Sequence, residues 1–338
     1  MADAALEPHG ASGPHGVVEH GAILDWRQVD WPRVAHAEYA IRQQYSYAYT
    51  GPVADVQQRL MMVPADHLGD QRLLEHDLAV RGMDGEPSVT WSEDEFGNRF
   101  CRVRMARVRE RLEFVASYRV ARTASKPAAH SAGTPARAWD EGVFCEPTAL
   151  TAPDARLRAA AAEIARGASD QAALAEGAHE WVAGALVYQF GITGVQTPAA
   201  MALHLGKGVC QDYAHILLCI LRLLGVPARY VSGHLLGEGA PHAWVEALVE
   251  DPSSRPGFAT IAYDPTNRRR AGMQYVKVAV GRDYADIRPT AGVFTGPASG
   301  RLSATKHAEI VRVSYRTGEQ IEADVTDWRR EQAEESAA

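Results

Sequence analysis

The run of residues 206–227 constrains this chain more than any other stretch. Gly206-Lys207-Gly208 relaxes the backbone, Cys210 follows, and the apolar residues 216–224 are long enough for a buried helix before Gly225-Val226-Pro227 ends it. Cys210 is thereby expected at or near a helix N-terminus. Unpaired N–H groups and the positive end of the helix dipole stabilise a thiolate there, and the thiolate is the nucleophilic form of cysteine. His242 lies thirty-two residues on, in the strand-forming sequence Pro241-His242-Ala243-Trp244-Val245-Glu246, and Asp264 twenty-two further, closing a second such run at residues 258–264. If the two runs pair as an antiparallel hairpin across residues 250–257, His242 near the start of one strand and Asp264 near the end of the next become neighbours. A helix-borne cysteine facing that pair supplies a nucleophile, a base and an orienting carboxylate.

Gly208-Val209-Cys210-Gln211-Asp212-Tyr213-Ala214-His215, Pro227-Ala228-Arg229-Tyr230-Val231-Ser232-Gly233, His242-Ala243-Trp244-Val245-Glu246 and Asp264-Pro265-Thr266-Asn267 stand in one order along the chain. Together they resemble the bacterial branch of the transglutaminase-like superfamily; the ordered set is specific where any one motif alone is weak. Residues 39–64 are similar to the β-rich N-terminal region that precedes the catalytic domain in that branch, and Gly281-Arg282-Asp283-Tyr284-Ala285-Asp286 resembles its loop after the last catalytic strand. The resemblance covers about residues 36–315 and implies an α+β fold. In it an N-terminal antiparallel β-sheet or sandwich precedes a papain-like, transglutaminase-like domain whose helix bears the cysteine and whose antiparallel sheet bears the histidine and aspartate. It also implies catalytic roles for Cys210, His242 and Asp264.

A length of 338 residues suggests two domains, since one commonly spans ~100–200 residues. With 46% hydrophobic and 23% charged residues the chain has the makings of an ordinary globular core. A formal net charge of −7 argues against a general nucleic-acid surface, which needs clustered Lys and Arg. Arg102, Arg104, Arg107, Arg109 and Arg111 alternate along one expected strand, but Glu110 and Glu113 interrupt them and a solvated sheet face is the simpler reading. The cysteines at 101, 145, 210 and 219 form neither a CxxC pair nor a secreted disulfide framework, which points to reduced thiols and a cytoplasmic setting. Arg222 cuts the longest apolar run below membrane-spanning length, and residues 1–20 lack a signal-peptide pattern, so no membrane association is expected.

In chain order, residues 1–35 read as a mostly disordered tail, 36–122 as the β-rich domain, 123–153 as a linker, 154–322 as the catalytic domain and 323–338 as a charged tail. Strands are expected at 73–80, 88–91, 99–108 and 112–120, with one more at 310–315. Helices are expected from Asp154 to Gly167, from about Asp170, and from Pro198 to Leu205. His9, His15 and His20 could hold a metal only adventitiously, and pairing His234 with His242 lacks a third ligand. Cys219 falls on the far side of the Cys210 helix, and His215 is rotated well away from Cys210, so both are assigned to packing. Asp283 and Asp286 are alternatives to Asp264 as the orienting carboxylate, with Asp264 preferred because it ends the strand beside His242. Gln211 could polarise a carbonyl, and Trp244 could shield the thiolate and imidazole from water.

The chemistry these residues suit is acyl transfer from a peptide or protein amide through a thioester on Cys210, with no metal or organic cofactor required. The resemblance inclines the reading to a cysteine peptidase or amidase. A true transglutaminase, passing the acyl group to an amine, and a non-catalytic protein-binding module are the alternatives; oligomeric state is open.

Overall fold

The computed structural model describes residues 24–124, 141–253 and 257–323. Residues 1–23 of the expected N-terminal tail with its three early histidines, residues 125–140 of the expected linker and residues 324–338 of the expected C-terminal tail lie outside these residues.

The first sheet is built from β1 (Val34–Tyr49), β2 (Val53–Leu60), β3 (His67–Leu68), β4 (Gln71–Asp84), β5 (Ser88–Glu93) and β6 (Arg99–Thr123). Sequence patterning breaks β6 in two at the charged residues 109–111, whereas the strand runs through as one 25-residue element with those side chains in solvent. Its C-terminal half pairs with β1 on one edge and β4 on the other, and its N-terminal half pairs with β2 and β5. The alternating arginines 102, 104, 107, 109 and 111 are exposed, as a solvated face requires, while Val103, Met105, Val108 and Leu112 are buried between them.

The helices follow: α1 (Glu141–Cys145), α2 (Ala155–Gly167), α3 (Gln171–Ala183), α4 (Ala199–Leu205) and α5 (Cys210–Leu223), with the short strands β7 (Val187–Tyr188) and β8 (Lys207–Gly208) paired in parallel just before α5. Asp154 and Asp170 cap α2 and α3 by accepting the N–H groups of Leu157 and Ala173, each at 2.8 Å. The second sheet has the order β12-β11-β10-β9-β13, from β9 (Ala228–Leu235), β10 (His242–Glu250), β11 (Phe258–Asp264), β12 (Arg269–Arg270) and β13 (Tyr275–Gly281). α5 is buried from Gln211 to Arg222, and its apolar side chains share a core with α2, α3, α4 and the inner face of this sheet. The fold is α+β, with a cysteine-bearing helix packed on an antiparallel sheet.

Three segments depart from the expected boundaries. Residues 290–322 do not complete the catalytic sheet: β14 (Thr290–Thr295) pairs with β2, β15 (Gly300–Tyr315) with β1, and β16 (Gln320–Glu322) with β15, all in the N-terminal sheet. Most side chains of 300–309 are exposed, so alternation cannot reveal the strand; a long backbone ladder to β1 holds it instead. Residues 24–35, expected within a disordered tail, form two short 3-10 turns at Trp26–Gln28 and Trp31–Arg33, and Val29 and Val34 are buried. The expected linker likewise ends in packed structure. Arg222 donates from Nε to the Phe144 carbonyl at 3.1 Å and from Nη1 to Thr151 Oγ1 at 2.7 Å, so residues 144–151 satisfy a buried guanidinium.

β13 joins the two sheets. It is an edge strand, and side-chain amides cover its open edge. Gln71 donates to the Lys277 carbonyl at 2.8 Å and accepts its N–H at 2.9 Å, and Asn98 does the same at Val280, at 2.7 and 2.8 Å. Val276 and Val278 then enter the core of the N-terminal sheet. Tight packing here leaves no room at Gly233, where an added Cβ would lie 2.1 Å from the Val276 carbonyl oxygen and 2.7 Å from the Trp244 ring. Because the nearer atom is backbone, Gly233→Ala is expected to destabilise the protein by at least about 2 kcal/mol in chemical denaturation, a large overpacking cost. A variant as stable as the parent would contradict this packing.

Candidate active site

Cys210 is the first residue of α5 and is partly exposed. Its entry is shaped by Asp212, whose Oδ2 accepts the Val209 N–H at 2.7 Å and the Thr193 hydroxyl at 2.6 Å. Burial raises the Asp212 carboxyl above its usual range despite those two hydrogen bonds. Gln211, considered above as a carbonyl polariser, instead donates to the Val195 carbonyl at 3.1 Å and pins the loop before α4. The Cys210 N–H stands among the first-turn donors that a helix leaves without intrahelical partners.

β10 and β11 pair in the expected hairpin, with Val245 opposite Tyr263. His242 Nε2 lies 2.8 Å from Asp264 Oδ2, both side chains being buried. Nε2 is taken by the carboxylate, and the Cys210 thiol is a hydrogen-bonding neighbour of the same ring. Burial opposes a charge on His242, but the bonds to Asp264, Cys210 and Glu238 outweigh it and hold the imidazole protonated well above its ordinary range. Burial also disfavours the Asp264 carboxylate, yet hydrogen bonds from His242, Tyr275 and Asn267 keep it ionised below the usual range.

The sequence thus names three residues that the structure brings together, and others complete the arrangement. Tyr275 Oη donates to Asp264 Oδ2 at 2.6 Å, and Asn267 Nδ2 to the same oxygen at 2.8 Å. Oδ1 accepts the backbone N–H of Thr266 at 3.1 Å and of Asn267 at 3.2 Å, so both carboxylate oxygens are hydrogen-bonded. Trp244 is buried and stacks beside His242 at 6.3 Å and edge-on against Tyr275 at 5.3 Å, walling one side of the imidazole from water. Glu238 Oε2 lies 3.3 Å from His242 Nδ1. Asn267 and Trp244 sit inside the quoted motifs; Tyr275 and Glu238 carry no local signal, because their roles depend on which strand or turn the chain folds beside them.

The other candidates are placed elsewhere. Asp286 pairs with Arg282 at 2.9 Å, and Asp283 Oδ1 accepts the Ala285 N–H at 2.7 Å. His234 meets the Tyr118 hydroxyl at 2.7 Å, and His215 accepts the Tyr284 N–H at 3.3 Å. Cys219 is buried in the core, and burial pushes its thiol up to about 12; the Cys101 thiol is raised by burial to about 11. Among the described residues Glu176, His179 and Glu180 of α3 could bring three ligand atoms within 4.8 Å of one another, but Glu176 is already engaged by Arg270 at 2.8 Å. No helix among the described residues is long and apolar enough to cross a membrane.

Comparison with known proteins agrees with this architecture. Residues 158–265 match the model of the transglutaminase-like superfamily, and residues 39–121 match that of the bacterial transglutaminase-like N-terminal region. An uncharacterized protein of Mycobacterium leprae is 37% identical over 179 residues, covering 50% of this chain and 60% of that protein. An uncharacterized protein of Mycobacterium tuberculosis is 37% identical over 117 residues, 31% of this chain and 37% of its own length. The chain therefore spans less than two thirds of these curated relatives. A solved structure of a candidate cysteine protease from Cytophaga hutchinsonii is 20% identical, with a TM-score of 0.63, covering 86% of this chain and 93% of that one, a likeness of fold. Residues 158–265, which carry Cys210, His242 and Asp264, thus form a transglutaminase-like core behind a bacterial transglutaminase-like N-terminal region.

Proposed function

We propose that the protein is a thiol-dependent acyl-transfer enzyme acting on amide bonds, and specifically a cysteine peptidase or amidase. The observation that carries this reading is a buried imidazole bonded through Nε2 to an ionised aspartate and hydrogen-bonded to the thiol at a helix N-terminus. Cys210 attacks the carboxamide carbon, and the resulting oxyanion is met by the Cys210 N–H. As the C–N bond breaks, His242 passes its proton from Nδ1 to the departing nitrogen, leaving a thioester on Cys210. Water then attacks the thioester, giving up a proton to the imidazole, and the tetrahedral intermediate collapses to a carboxylic acid and free thiol. Asp264 holds the tautomer and charge of His242 throughout.

Iodoacetamide labelling at pH 6 read by peptide mass spectrometry tests the site. Cys210 is expected to be alkylated at least ~100-fold faster than Cys101 and Cys219, whose raised thiols leave almost no thiolate, and His242→Ala is expected to remove most of that advantage. Uniformly sluggish thiols would favour a binding module instead. On a glutaminyl peptide, hydrolysis is expected with or without a primary amine; incorporation of the amine with loss of ammonia would favour a transglutaminase.

A further inference from the structure

We propose that Glu176, His179 and Glu180 of α3 form a binding site for a divalent transition-metal ion of the zinc class, separate from the cysteine–histidine site. The three residues lie on one side of the helix, and one ligand atom from each falls within 4.8 Å of the others. His179 Nδ1 stands 4.0 Å from Glu176 Oε1 and 4.0 Å from Glu180 Oε1. These separations exceed hydrogen-bond reach. An ion bound by nitrogen and oxygen at about 2.0–2.2 Å holds its ligand atoms about 3–3.5 Å apart. Rotation of the two glutamates closes the difference, since their side chains are 43% and 64% exposed.

The imidazole is what points to a ligand. The His179 side chain is only 2% exposed, and its Nδ1 is buried without a hydrogen-bond partner, aimed at the two carboxylates. Its Nε2 lies 3.3 Å from the Asp264 carbonyl, which can only accept, so Nε2 carries the proton and Nδ1 presents an electron pair. Ionised carboxylates cannot donate to that pair. Three electron-pair donors therefore converge, and a cation satisfies all of them at once. A metal-binding histidine characteristically gives its other N–H to a carboxylate or backbone carbonyl, which fixes tautomer and ring orientation, and His179 does so at Asp264. The Tyr263 ring, 5.1 Å away, steadies the imidazole further. Arg270 holds Glu176 by Oε2 at 2.8 Å and leaves Oε1 on the His179 side, so it orients this ligand without consuming it. Burial disfavours the Glu176 charge, but the Arg270 bond outweighs it and keeps the carboxyl below its usual range. Glu176 and Glu180, four apart on the helix, repel until a cation joins them. One imidazole nitrogen with two carboxylate oxygens suits zinc, cobalt or manganese, whereas magnesium and calcium favour sets made of oxygen alone. Three protein ligands leave a coordination position to water on the exposed side of Glu180, so the ion is exchangeable.

Isothermal titration calorimetry of Zn²⁺ into the metal-stripped full chain, E180Q and E176Q/E180Q tests the site. Zinc held elsewhere, by the Cys210 thiol or by His9, His15 and His20, is common to all of these proteins, so their difference isolates the α3 site. The parent is expected to show one binding event that each variant weakens at least about 100-fold, since even the outer partners of metal ligands are worth roughly 10–100-fold in affinity. E180Q preserves the size of an exposed side chain, and its urea midpoint without metal should equal the parent's. Zn²⁺ should raise the thermal midpoint of the parent by more than that of E180Q. C210S should retain the binding event, and excess Mg²⁺ should leave it in place. Equal sites and affinities in parent and both variants overturn the proposal. Loss of the event in C210S would put the ion on the thiol and overturn it too, and displacement by Mg²⁺ would overturn the part given to His179.

Discussion

Glu246→Ala is expected to lower unfolding free energy by about 3–5 kcal/mol, the cost of leaving buried charge uncompensated. Glu246 lies on β10 with a side chain only 2% exposed. Its Oε2 accepts from Arg229 at 2.8 and 2.6 Å, and its Oε1 from Lys277 Nζ at 2.7 Å. Lys277 Nζ also lies 3.3 Å from Asp70 of the N-terminal sheet, and Asp70 is paired in turn with Arg122. Burial raises the Glu246 carboxyl, but the two cations overcome it and bring the group down to about 2. Removing the carboxylate takes from the Arg229 guanidinium and the Lys277 ammonium the anion they share at the seam where the sheets meet, and leaves Asp70 beside Lys277. Urea denaturation of parent and variant measures the loss; a difference below about 1 kcal/mol would mean that the network contributes little. Replacing Glu246, Arg229 and Lys277 together by apolar residues is expected to recover much of the deficit.

Stability is also expected to fall steeply as pH drops from 6.5 toward 5, because two histidines are buried without charge. Burial, with a smaller contribution from Arg222, lowers His215 to about 3; burial, with Lys306, holds His234 well below its ordinary range. In the unfolded chain both titrate near pH 6.5, so below that pH the unfolded state binds about two more protons than the folded one. Stability then rises with pH across this window, at up to about 1.4 kcal/mol per pH unit for each histidine. Glu246 and Asp70, both held near 2, keep their contribution until pH falls below the unfolded carboxylate values, so they do not account for the loss above pH 4.5. His242 has the opposite sign: its folded pKa is raised, so its stabilisation is complete below about 6.5 and is lost as pH rises toward the folded value. The two effects place the optimum near neutrality. Urea midpoints at pH 5, 6 and 7 test this, and His215→Gln, which retains an acceptor for the Tyr284 N–H, should flatten the acid limb by about one proton. Equal midpoints at pH 5 and 7 would rule out the buried neutral histidines.

Elements held by short-range interactions are legible in the amino-acid order, and those held by long-range ones are not. α2, α3 and α5 are legible because their signals are local: Asp154 and Asp170 cap the first two, and an apolar run broken only by Arg222, with a terminal Gly-Val-Pro, bounds the third. The β10–β11 hairpin was legible because strand-forming runs separated by a turn-rich segment pair with their neighbours in sequence. Patterning splits β6 and reveals only the end of β15, since their exposed charged and polar residues carry no alternation while backbone ladders to distant strands hold them. His242 and Asp264 were found by their chain order. Tyr275, which bonds Asp264, and Glu238, which bonds His242, stand in stretches whose composition resembles any other turn or buried strand.

By itself the amino-acid order determined that a cysteine would open a buried helix and that a histidine and an aspartate would share a hairpin, because capping, apolar runs and near-neighbour pairing act within a few tens of residues. Only the tertiary structure decided that strands from both ends of the chain build one sheet, that Lys306 and Trp26 grip the turn bearing Glu238, and that Glu246 bridges the seam. Those contacts join groups up to more than two hundred positions apart, and a side chain's type does not record which distant carbonyl, ring or charge will satisfy it once the backbone has closed.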